Sequence, residues 1–155
     1  MLPADIHTVS SLVGFGDIKK VPPIDGWEEF LHDGDAYLRT GLGAEAKHRK
    51  AFTPEILYNV VAMAIEKFVM AALMQRGALP YNHTMGDLVE SMEEAFPGAM
   101  GDLKDALLDL DRYQEICDVD TYNIVPPSRE QIPGMLHLAV RMQKLVYKTT
   151  GGKIK

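Results

Sequence analysis

Four side chains toward the C-terminus, His137, Arg141, Lys144 and Lys148, recur at i, i+4, i+7 and i+11. On a helix that spacing places them on one stripe. The chemistry of such a stripe is electrostatic: a row of donors suited to the phosphates of RNA or a nucleotide, or to an acidic partner. The plainer alternative is a solvated helix face, because Lys and Arg are favoured near a helix C-terminus. Salt separates the two, since phosphate binding weakens as ionic strength rises.

Three other constellations compete for a role. Asp102, Asp105 and Asp109 stand about one helical turn apart. Carboxylates so spaced can hold a divalent cation, but no dense loop of oxygen ligands accompanies them, and the expectation is a solubilising face with no metal. They could also meet the basic helix of a second copy, a contact that salt would weaken. Glu66 and Lys67 interrupt a long apolar segment, and two charges there must find water or partners. One reading is a polar cleft at a bundle or dimer face. In the other, Lys67 snorkels outward and Glu66 shares a polar strip with Asn59.

Nucleophilic chemistry has little support. Cys117 sits among Glu115, Asp118 and Asp120, which would raise a thiol pKa and suppress its reactivity. Gly14-Phe15-Gly16 lacks the Lys and Ser/Thr of a phosphate loop. His7, His32, His48, His83 and His137 include no i, i+4 pair, no Cys/His cluster suggests zinc, and no cofactor is implied.

The 155 residues, 46% of them apolar, fit one domain and exclude wholesale disorder. The net charge of −6 averages two unlike regions. Tyr81 to Asp120 carries eleven acids against Lys104 and Arg112, whereas Arg129 to Lys155 carries six cations against Glu130. No apolar run at the start is long enough for a signal peptide, and no run of about 18 charge-free apolar residues exists. The expectation is a cytoplasmic protein without a membrane span.

Helical periodicity runs through most of the chain. Residues 1–34 read as an irregular arm, with a short helical turn after the capping-box spacing Asp25-x-x-Glu28, interrupted near Gly34. A first helix, Asp35 to about Lys50, is weakened by Gly41 and Gly43 and ends in Lys47-His48-Arg49-Lys50. Thr53-Pro54-Glu55 opens the strongest helix, which runs to about Arg76 and stops at Gly77. Ile56, Leu57, Val60, Val61, Ala64, Phe68, Ala71 and Ala72 form its main apolar stripe. Met63, Met70 and Met74 form a second, read either as a dimer face or as ordinary core filler. A third helix begins at Thr84 and ends at Pro97-Gly98, and a fourth starts near Asp102. The loop DVDTYNIVPP leads to a fifth, opened by the capping box Ser128-x-x-Gln131, with Pro133 leaving room for a start displaced by a turn. Residues 151–155 should fray. The expected fold is all-α, an up-and-down bundle of four or five helices over residues 35–150.

The segment AMAIEKFVMAALMQRGALPYNHTMGDLVESM resembles the HEPN domain family. The resemblance is carried by Ala62, Glu66, Lys67, Ala71, Gly77, Pro80, His83, Thr84 and Leu88, and later by Arg112-Tyr113 and Ala139. It covers roughly Asp35 to Lys148; the N-terminal arm has no counterpart. It implies a helical bundle that dimerises and works around RNA and nucleotides, in many members beside a nucleotidyltransferase partner in toxin–antitoxin pairs. A subset of the family are metal-independent ribonucleases using Arg-x(4–6)-His near the start of the last long helix. Here Arg129 and His137 are separated by seven residues, one too many, and Arg76-x(6)-His83 spans the turn between two helices. The expected function is therefore a non-catalytic, homodimeric module that binds a nucleotide, RNA or a nucleotidyltransferase. Two alternatives stand: a ribonuclease using Arg76 and His83 or Arg129 and His137, and a self-associating scaffold built on the Met face.

Overall fold

Thr53 begins the helix that organises the rest. Its hydroxyl accepts from the backbone N–H of Ile56, Pro54 occupies the first turn, and the helix runs Pro54–Gln75. This element, α2 in the computed structural model, is preceded by α1 (Trp27–Ala46) and followed by α3 (Met85–Ala95), α4 (Leu103–Asp109) and α5 (Ile132–Thr150). The structure describes residues 21–113 and 125–152. Most of the N-terminal arm, Cys117 with its neighbouring acids, most of the DVDTYNIVPP loop and the last three residues lie outside them. Among the described residues there is no strand, and the fold is an all-α bundle of five helices.

α2 packs against α1, α5 and α3 and is buried on nearly every side. Leu57, Val61, Ala64, Phe68, Ala71 and Ala72 lie in the core, as the apolar stripe predicts; Ile56, expected beside them, is 43% exposed. By length and composition α2 could cross a membrane, yet 61% of its most apolar window is buried inside the fold. Each fully buried Leu or Phe here contributes about 1.5–3 kcal/mol through the hydrophobic effect.

α1 departs most from expectation. It runs unbroken through Gly34, Gly41 and Gly43, so residues 27–34 belong to the bundle and not to an arm. Tertiary contact explains the glycines. A Cβ on Gly34 would stand 2.7 Å from the ring of Phe68, and one on Gly41 would stand 2.9 Å from Leu136 and 3.3 Å from Val60. Glycine here lets α1 approach α2 and α5 closely, a gain that outweighs its roughly 1 kcal/mol helix penalty. The start also differs: Gly26, not Asp25, is the N-cap, and no side chain caps the helix. At the other end α1 stops at Ala46, and the basic run follows the helix instead of forming its last turn.

Polar contacts fix the remaining helices. Asp35 of α1 accepts from the Gln143 amide at 2.7 Å and from the Tyr147 hydroxyl, tying α1 to α5. Burial, then the hydrogen bond to Asp35, pushes the Tyr147 phenol up to about 12. Thr84 caps α3 by accepting from Asp87 N–H, and Asp111 adds a second cap. Its two oxygens accept from the N–H groups of Met85 and Gly86 at 2.9 and 2.8 Å. Asp111 sits in a short 3-10 turn, Leu110–Tyr113, that extends α4. Tyr58 anchors this turn by donating to the Leu110 carbonyl at 3.1 Å, while its ring packs on Tyr113. Burial, and next the Asp111 carboxylate, pushes the Tyr58 phenol up to about 12. The displaced start of the last helix is also resolved: Arg129–Gln131 form a 3-10 turn before α5, and Ser128 N–H donates to Gln131 Oε1 at 2.9 Å.

Candidate functional site

α5 is amphipathic, and its two faces do different work. Ile132, Met135, Leu136, Ala139, Met142 and Val146 are buried against the bundle. His137, Lys144 and Lys148 stand exposed on the other side, on the stripe that their spacing predicts. Arg141, the fourth member, is half-buried and donates to Asp102 at 2.6 Å. That hydrogen bond, and then the Arg141 charge, holds the Asp102 carboxyl below its ordinary range. Three cationic or titratable groups thus face solvent, and the fourth is anchored to the start of α4.

At its N-terminal end the stripe meets a pocket of about 330 Å³ between α1 and α5. Leu42, Ala46, Pro133, Leu136 and Val140 make apolar walls, and Glu45 and His137 supply the polar groups. Leu42 is 42% exposed at the mouth. Glu45 Oε2 is buried without a hydrogen-bond partner. The nearest cation, Arg129 Nη1, lies 3.8 Å from it, an ion pair beyond hydrogen-bond reach. Arg129 is held there because its Nη2 donates to the Phe52 carbonyl at 2.9 Å. The arrangement is an open, mostly apolar recess beside a cationic face, with the covered Glu45 oxygen balanced by Arg129.

The other expected site residues fall elsewhere. Glu66 and Lys67 meet different partners: Glu66 Oε1 lies 2.7 Å from His83 Nδ1, and Lys67 Nζ sits 4.6 Å over the Phe30 ring. Arg76 stacks its guanidinium 4.5 Å over Phe96. Arg76 and His83 are therefore engaged with separate groups, Phe96 and Glu66. Arg129 and His137 come closer to one location, since Arg129 pairs with a carboxylate in the wall that His137 also lines. Met70 and Met74 are 7% and 5% exposed and Met63 is half-buried. Asp102 pairs with Arg141 and Asp109 with Arg112, both at 2.6 Å. Among the described residues no three His, Cys, Asp or Glu side chains group as metal ligands would.

Sequence reasoning missed Glu45, Asp35 and Asp111. Glu45 precedes the basic run by two residues, so by sequence it reads as one more surface charge. Its place in a pocket wall follows from the close approach of α1 to α5. No family model matches the chain, and no curated protein or solved structure does either.

Proposed function

We propose that the chain is a HEPN-like, non-catalytic helical module that binds single-stranded RNA through the outward face of α5. The observation that supports this most directly is the exposure of His137, Lys144 and Lys148 on one face. None of them forms an ion pair with the protein's many acids among the described residues. From His137 to Lys148 the helix rises ~17 Å at 1.5 Å per residue, long enough for about three successive phosphates of a flexible strand. The binding is electrostatic, and counterion release sets its strength.

Fluorescence anisotropy with a fluorescein-labelled octauridine, across a salt series, tests this. Two lysine–phosphate contacts predict a slope of about −1.4 in log affinity against log salt. The double variant Lys144→Ala with Lys148→Ala should reduce that slope and weaken binding about tenfold. Affinity that ignores salt, or that survives the double variant, overturns the proposal.

The ribonuclease alternative is favoured by one feature: Glu45 and His137 line one recess, and Arg129 pairs with Glu45 at 3.8 Å. Against it, Arg129 is committed to the Phe52 carbonyl and to Glu45. RNA cleavage by the purified protein, lost in His137→Ala, would select it.

A further inference from the structure

α1 ends at Ala46 and leaves Lys47-His48-Arg49-Lys50 outside the helix. The run is held in a fixed turn. Lys47 N–H donates to the Gly43 carbonyl and Arg49 N–H to the Ala44 carbonyl, both at 3.1 Å, while His48 takes a left-handed φ of 46°. All four residues are exposed, and residues 47–54 include no acid. Elsewhere Arg112, Arg129 and Arg141 pair with carboxylates, and Lys67 and Arg76 lie over rings. Lys47, Arg49 and Lys50 have no such partner among the described residues. The negative end of the α1 dipole accounts for Lys47 but not for two further cations beyond the helix, because the effect fades within a turn.

Two contacts set this turn beside α5. Ala46, the residue before the run, lines the open recess that His137 also lines. Phe52 N–H donates to the Arg49 carbonyl at 3.0 Å, and the Phe52 carbonyl accepts from Arg129 Nη2 at 2.9 Å, just before α5 begins. We infer that Lys47, Arg49 and Lys50 are a second phosphate-contact segment, onto which a strand held along α5 continues past the recess. This deepens the RNA-binding reading and rests on it. The ligand becomes a strand longer than the α5 stripe alone would hold, recognised by its backbone and not by its bases. A turn whose backbone is already fixed loses little freedom when it binds, so its charges act at low entropic cost.

Fluorescein-labelled octauridine, followed by anisotropy with the full chain across a salt series, tests this. Lys144 and Lys148 account for a slope of about −1.4, and three further contacts should steepen it to about −3.5. The triple variant Lys47→Gln, Arg49→Gln and Lys50→Gln should return the slope to about −1.4 and weaken binding about tenfold at low salt. Lys144→Ala with Lys148→Ala should leave a slope of about −2. The slope of the unaltered protein is a test by itself, whatever the variants do to folding. A slope of about −1.4 that the triple variant does not change overturns the second segment and leaves the α5 reading standing. A slope abolished by the triple variant and untouched by the α5 pair shows that the strand does not follow α5, and overturns both. Absence of binding at low salt also overturns both.

Discussion

On the α3–α4 side of the bundle several acids have partners within the fold. Asp111 closes over the first N–H groups of α3, Glu93 accepts from Gly98 N–H at 3.0 Å, Asp109 pairs with Arg112, and Asp102 reaches across to Arg141. On α5 the charges are divided by direction. The inward polar groups, Gln143 and Tyr147, clamp Asp35, whereas His137, Lys144 and Lys148 are exposed and form no ion pair among the described residues. A carboxylate can cap a helix start or accept a stray backbone N–H, and so a short acidic segment finds local employment. A lysine donates only; Lys144 lies more than a turn before the end of α5, while Lys148 is in its last turn, where its charge meets the negative end of the helix dipole. Charge that the fold does not use is charge available to a ligand.

The contrast can be broken at several points. Asp111→Ala should have the largest effect, a loss of about 2 kcal/mol, because two N–H groups lose charged acceptors at once. Urea denaturation measures it, and a loss no greater than that of an ordinary surface substitution would remove the structural role given to the acids.

Tyr147→Phe comes next, at about 1 kcal/mol near neutral pH from the lost hydrogen bond to Asp35. It should also alter the alkaline limb. A phenol whose folded pKa is about 12, against an ordinary 10, contributes stability that is complete below about pH 10 and is lost as pH rises through 12. Tyr58 shares this behaviour, so the variant should show a shallower decline between pH 10 and 12, not a flat one. Denaturation curves at pH 7, 10 and 11 would decide; an unchanged decline would separate Tyr147 from the clamp.

Smaller still is the stability effect of Lys144→Ala with Lys148→Ala, within about 0.5 kcal/mol, beside a clear loss of RNA affinity. A large loss of stability would mean that these cations serve the fold after all. The smallest effect belongs to Arg141→Ala. Asp102 is exposed, and Arg141 keeps its carboxyl below the usual range. The pair's contribution is present above that ordinary range and fades as pH falls through the depressed value. The variant should therefore flatten only the acid limb of a stability profile, which melting temperatures from pH 2 to 6 would register.

Much of this fold is legible in the sequence because its signals are local. Thr53-Pro54 and Thr84 are caps whose partners lie within three residues, and most of the apolar stripe read for the Thr53 helix is buried. α1 departs from its local signals where the decisive partner is distant. Gly34 lowers helix propensity by itself, and only the ring of Phe68, 34 positions along the chain, shows why glycine stands there. The cationic stripe is legible by the same local spacing, but the pairing of Arg141 with Asp102 is not, since those residues lie 39 apart in sequence.

The sequence alone determined that the chain is helical, where most helices begin and end, and that four cationic or titratable side chains share a face. Each of these depends on interactions within about a turn of helix, where residue order is distance. Tertiary structure decided which charges are spent and which stay free. It also decided that Glu45 closes a pocket beside His137, and that Met70 and Met74 are buried in the protomer. Those outcomes depend on how closely α1, α2 and α5 approach, and it is the packing of distant side chains that sets this approach.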